Sequence, residues 1–349
     1  MAEHTVTDVR PSLPPARGDL SRFLLDHLVQ PPHPLPAWPA PDGNALAGDD
    51  FHLALYICYE LHYRSFAGVD EAWEWEPSLL ALRRDLESAF ELALVGLVGT
   101  ERTEGDVEAE LHRIINEAGG RSLSGYMETG GTWGQLAELA THRSAYQLKE
   151  ADPHTWALPR LGGGPKAAMV EIQADEYGGG VESAMHASLF AVTMGALGLD
   201  PAYGAYLDRL PGTTLATVNL VSLFGLHRRR RGALIGHLAV FEMTSVTPMA
   251  RYSRALARHG LGPEARRFYD VHVEADARHE VIAARRMAGG LAAAEPALAP
   301  DILFGARALM AVEARFTAAL LDAWASDGSA LLDPVAPPTR VGKTPTWAF

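Results

Sequence analysis

His272 to Glu280 read HVEADARHE, two histidines and an aspartate at spacings of four and then three. At about 100° per residue, His272, Asp276 and His279 fall within roughly 60° of one another on a helix. They rise over two turns, a span that two adjacent metal ions can occupy. Glu274 points nearly opposite and Glu280 to the side, so both are expected to face solvent. Imidazole with carboxylate suits iron, manganese or zinc. A hydrated helix carrying an i, i+4 histidine–aspartate pair satisfies the same spacing, so further ligands must come from other helices.

The surrounding chain has the periodicity such a site requires. Apolar residues recur at three- and four-residue intervals in DDFHLALYICYELHYRSF, PSLLALRRDLESAFELALVGLV and GALIGHLAVFEMTSVTPMARYSRALARHG, and a long helix is expected from about Ala297 to Ala325. Alternating β patterns are nearly absent. The fold class is all-α, a single bundle of roughly ten helices. Residues 1–48 form an N-terminal arm, with a short helix in DLSRFLLDHLV capped by Asp19 or Ser21 and a connector carrying six prolines between Pro31 and Pro41. Residues 49–330 form the bundle and 331–349 a tail.

Bulk properties narrow the function classes. The 349 residues are 48% hydrophobic and carry a formal net charge of −13. That balance disfavours nucleic acid and anionic membranes as partners. The run HRRRRG at His227–Gly232 is the local exception, read as a solvated helix end. One cysteine, Cys58, excludes an internal disulfide framework and suits a reducing cytoplasm. No signal pattern opens the chain and no apolar run of about 20 residues is evident.

Candidate ligands stand at unusual places. His186 lies on the apolar stretch ESAMHASLF, where a histidine needs a partner. EIQADEYGGG sets Glu171, Asp175 and Glu176 beside three glycines. On an unbroken helix Glu176 and His186 would stand about 15 Å apart; a glycine break brings both within reach of one site. Glu182 is one turn from His186. YQLKEADPHTW places Glu150 at the end of an apolar helix. Glu242 and Arg251 sit on the otherwise apolar GHLAVFEMTSVTPMAR, where Glu242 could orient a histidine or pair a substrate ammonium and Arg251 could hold a substrate carboxylate.

The chain resembles the haem-oxygenase-like diiron oxidases and oxygenases, the iron-containing redox enzymes. The resemblance rests on YQLKEADPHTW, EIQADEYGGG with MHASLF, PGTTLATVNL, RGALIGHLAVFEMTS and FYDVHVEADARHE, roughly Arg143 to Arg286. It implies a haem-oxygenase-like helical bundle and six ligands: Glu150 bridging two ions, Glu176 and His186, then His272, Asp276 and His279. Glu182 and Glu171 remain rivals to Glu176. It further implies two Fe(II)/Fe(III) ions, O2 as co-substrate and an external electron donor where the reaction requires one. The expected substrate is a small amine or amino acid, undergoing N-oxygenation or C–H oxidation such as desaturation, cleavage or cyclisation, in specialised metabolism.

Alternatives are fatty-acid oxidative decarboxylation within the same family and a non-enzymatic iron-binding protein. A thiaminase-like hydrolase on this fold would need Cys58 as nucleophile. The proline-rich arm suits a homodimer and a monomer equally.

Overall fold

The computed structural model describes residues 10–41, 43–100 and 105–334, the side chains of residues 276 and 277 excepted. Among the described residues the regular structure is helical and no strand occurs. Helix α1 spans Asp19–Leu28 and α2 spans Asp49–Glu60. The α1 N-terminus is not capped by Asp19 or Ser21. Gly18 occupies the cap position, and Asp50 of α2 accepts from the Leu20 and Ser21 amides at 3.0 and 2.9 Å. A carboxylate from another helix thus satisfies the exposed amides. The arm lies on its own chain: Arg17 donates to the Leu207 carbonyl at 2.7 Å, and Ala67 N–H to the Pro11 carbonyl at 2.9 Å.

Helix α2 is buried without interruption from Phe51 to Glu60, so it runs through the core. Helix α3, Pro77–Val98, starts with proline at its first position and with Glu76 accepting from the Ser78 and Leu79 amides. Helices α4 (Val107–Glu117), α5 (Leu123–Thr129) and α6 (Trp133–Gln147) follow. Thr132 and Gln135 close a capping box at the head of α6.

The remaining principal helices are α7 (Gly163–Glu176), α8 (His186–Ala196), α9 (Gly212–Leu226), α10 (Arg231–Arg258), α11 (Pro263–Val281) and α12 (Ala299–Ala325). Helix α11 passes into a π-helical stretch, Ile282–Gly289. Helix α10 belongs to a segment, Arg228–Arg258, long and apolar enough to cross a membrane, yet most of that segment is buried inside the protein. It is the central rod of the bundle, packed chiefly on α11 and α12. A Cβ on Gly236 would lie 1.8 Å from the Ile302 carbonyl oxygen, and one on Gly305 only 2.0 Å from that of Ala233. Helices α10 and α12 therefore meet backbone to backbone.

Two apolar clusters hold the bundle. The larger joins α2, α9, α10 and α12 through residues such as Leu53, Leu215, Phe224 and Phe304. The smaller gathers Phe190, Phe268, Phe316 and Leu320. Each such side chain, fully buried, contributes about 1.5–3 kcal/mol. The arginine run lies at the head of α10 and is spent on carboxylates. Arg229 and Arg230 engage Glu91 at 2.6 and 2.5 Å, and Arg230 reaches Asp301 at 2.7 Å.

Candidate metal centre

The glycines after α7 decide the local geometry. Gly178 has φ +61, and a Cβ there would stand 2.4 Å from the Ala184 carbonyl carbon. Only glycine fits both the left-handed backbone and the close approach. The chain reverses tightly, and His186, the first residue of α8, swings back beside Glu176, the last of α7. Their Nδ1 and Oε2 atoms are 2.8 Å apart.

Helix α11 supplies the opposite wall. His272 directs Nδ1 at the Phe268 carbonyl, 2.7 Å away, which fixes that nitrogen as the donor and sets the ring. Its Nε2 faces Glu150 Oε1 at 3.8 Å, and its ring centroid lies 4.2 Å from that of His186. Glu150 stands three residues past the end of α6 and just before Ala151, whose φ is +77. That left-handed conformation is costly for a residue with a Cβ, and the Glu150 carboxylate beside it is buried.

Two groups of donors result. Ligand atoms of Glu150, Glu176, His186 and His272 lie within 4.8 Å of one another, and so do those of Glu176, Glu242 and His279; all are buried. Glu176 belongs to both groups. The resemblance implies Glu150 as the bridging carboxylate; in the structure the shared residue is Glu176, the last of α7, whose carboxylate lies near ligand atoms of both α10 and α11. The Asp276 side chain lies outside the described residues. Of the rivals, Glu182 is exposed on the turn before α8 and Glu171 pairs with Arg286 at 2.8 Å.

Glu242 is a ligand candidate in its own right rather than only an orienting group. Its Oε2 is 3.2 Å from His279 Nδ1, and Asp175 Oδ2 stands 2.9 Å from Nε2 of the same ring. Asp175 also holds Arg278. Arg251 lies nine residues beyond Glu242, which is half a turn off on a helix, and it binds Glu128 at 3.4 Å and the Ser122 hydroxyl at 3.2 Å. Glu274 faces solvent beside Arg267.

The donor set fits an iron site. Several carboxylates share a buried space whose neighbours are imidazoles, and buried anions without a cation are costly. Burial pushes the Glu150 carboxyl above the usual range, with the His272 imidazole pulling the other way. Among the described residues, Glu150 Oε2 and both ends of the buried Gln173 amide have no hydrogen-bond partner. These atoms line a cavity of about 10 Å³ between the ligands, with Tyr146, His154 and Ser245 also on its wall. That is room for about one water and none for a porphyrin. His154 instead bonds His237 at 3.0 Å.

A family model for the iron-containing redox enzymes, of the haem-oxygenase-like group, matches residues 137–314, just over half of the chain. The chain belongs to this family. The match spans every ligand candidate, from Glu150 to His279. As a member, the protein is of an iron-containing, oxidoreductase kind, and its buried glutamate–histidine clusters are compatible with iron. Comparison with curated proteins yields no match. Cys58, by contrast, is buried with its thiol pushed up to about 12 by desolvation, so it is no poised nucleophile.

A second cavity, of about 290 Å³, adjoins the first, and Phe241 and Ser245 line both. Residues one turn from the ligand candidates form its near wall: Gln147 before Glu150, Phe190 after His186 and Tyr269 before His272. Its far wall holds Arg143, bound end-on to Glu313 of α12 at 2.9 and 2.7 Å. This pair is 170 residues apart in the chain and escaped the sequence analysis.

Proposed function

We propose that the protein is an oxygen-activating, two-iron oxidase or oxygenase acting on a small amine or amino-acid-like substrate. The observation that carries this reading is the pair of overlapping donor groups sharing Glu176. Glu150, Glu176, His186 and His272 would hold one ion; Glu176, Glu242 and His279 would hold the other. Iron bound there would supply the electrons and open coordination positions that oxygen reduction requires.

The chain's own residues prepare the rest. The Phe268 carbonyl fixes the His272 tautomer, and Asp175 beside His279 Nε2 orients that ring and leaves Nδ1, on the Glu242 side, for the ion. Apolar walls exclude bulk water. Phe241 and Ser245 set the boundary across which a substrate in the larger cavity meets the centre. That adjoining cavity supports an enzyme over a protein that merely binds iron. We place it in the cytoplasm, with O2 as co-substrate and an electron donor where turnover needs one.

Anaerobic ferrous titration of the full chain, followed by oxygen uptake, tests this reading. About two irons per chain are expected, with rapid uptake. Glu176→Ala should lose both ions together, whereas His279→Ala should retain about one. A stoichiometry near one in the wild type, or iron binding with no oxygen uptake in the presence of reductant and candidate amines, overturns it.

A further inference from the structure

Arg143 and Glu313 are only about a quarter exposed, and both line the larger cavity, which is otherwise mostly apolar. An end-on pair leaves the guanidinium with Nε–H and two outer N–H groups still able to donate. Each carboxylate oxygen keeps a lone pair. The guanidinium also stacks on Phe316, its carbon 4.4 Å from the ring centroid, which holds the fork in place. Ser122 and Ser124 also line the cavity.

Such a pair has no net charge, and that determines what it recognises. A lone carboxylate gains from Arg143 but is repelled by Glu313; a lone ammonium meets the reverse. A head group carrying both charges side by side satisfies both partners at once. Arg143 lies one turn before Gln147, the last residue of α6, and both line this cavity, while Glu150 follows at the smaller one. The cavity is also walled by Phe190, Phe241, Met249 and Tyr269.

We propose that Arg143 and Glu313 form a clamp for the ammonium and carboxylate of an α-amino acid. The substrate class is then an amino acid with an extended, mainly apolar side chain, whose far end, not its α-carbon, meets the iron site. The clamp sets which substrates enter and which atom is presented. This assignment rests on the functional reading above and narrows it.

The test is calorimetric binding of a matched trio, L-2-aminooctanoic acid, octanoic acid and heptylamine, to the full chain with and without iron. The amino acid is expected to bind at least about tenfold more tightly than either singly charged ligand, a gap of about 1.4 kcal/mol. Glu313→Gln should abolish its advantage over octanoic acid, and Arg143→Met its advantage over heptylamine. Glu313→Gln retains the packing, so it decides the matter should Arg143→Met fail to fold. Binding of the three within about threefold, a ranking unmoved by Glu313→Gln, or no binding at all overturns the clamp and leaves the pair as a brace between α6 and α12. Iron content is measured on the same samples. Loss of iron loading with the ranking intact defeats the functional reading alone, whereas intact loading with a flat ranking defeats the clamp alone.

Discussion

Lys149 and Glu150 are neighbours in the chain, both buried, and they meet opposite surroundings. The Lys149 ammonium lies 2.9 Å from Glu60 Oε2, with the Tyr56 and Tyr63 rings at 4.8 and 4.3 Å. Tyr203 donates to both Glu60 oxygens at 2.8 Å. Every charge there has its counter-charge, and the cluster is complete as folded. Glu150 turns the other way, into a space shared with Glu176 and Glu242, where the groups brought against the carboxylates among the described residues are imidazoles. The first arrangement ties the end of α2 to the turn that follows α6; the second waits for a cation. Burial of charge alone does not identify a functional site. A surplus of one sign does.

Breaking the closed cluster should have the largest effect. Lys149→Met leaves Glu60 buried without its ammonium partner, at a cost of about 3–5 kcal/mol, read by urea denaturation of the metal-free protein. An equally large loss on Glu150→Gln would erase the distinction. Filling the open cluster comes next. Ferrous iron at about a hundredfold over its dissociation constant should add about 2.7 kcal/mol, read as a rise in Tm that Glu176→Ala removes and Lys149→Met leaves intact in size.

A third kind of buried polar residue sharpens the contrast. His52 is fully buried, lies beside Asn219 and Phe90, and is held neutral, its pKa lowered to about 3 by desolvation. The unfolded chain binds its proton near 6.5 and the folded one does not. Stability is therefore undiminished above that pH and falls as the pH drops from 6.5 toward 3. The loss reaches about 2 kcal/mol by pH 5. His52→Gln should flatten this acid limb by about 1.4 kcal/mol per pH unit, measured by denaturation at a series of pH values. The smallest expected change is Glu150→Gln without metal, neutral or stabilising by about 1 kcal/mol, while iron affinity falls.

Much of the helical frame was legible in three-residue periodicity, and α1 and α12 fall within two residues of the stretches read for them. Capping by Asp50 was not, because it joins residues thirty apart through space. At the site, local spacing was informative: three glycines announced the turn that joins Glu176 to His186, and one helix face carried His272 and His279. Glu242 betrayed itself as a carboxylate among apolar neighbours, but its place beside His279 depends on how α10 crosses α11. The half-turn between Glu242 and Arg251 was legible from their spacing, but the pairing of Arg251 with Glu128 was not. Arg143 and Glu313 left no local trace, since each reads as an ordinary charged residue on its own helix.

The backbone contact of Gly236 with Ile302, and of Gly305 with Ala233, bears on how this protein can diversify. Glu242 rides on α10 and Glu313 on α12, so the crossing works as a fixed caliper between iron site and clamp. Even a single methyl at Gly236 or Gly305 would force the rods apart and change both jaws together. Descendants of this sequence that take longer or shorter substrates should therefore differ in the lining side chains and keep the two glycines.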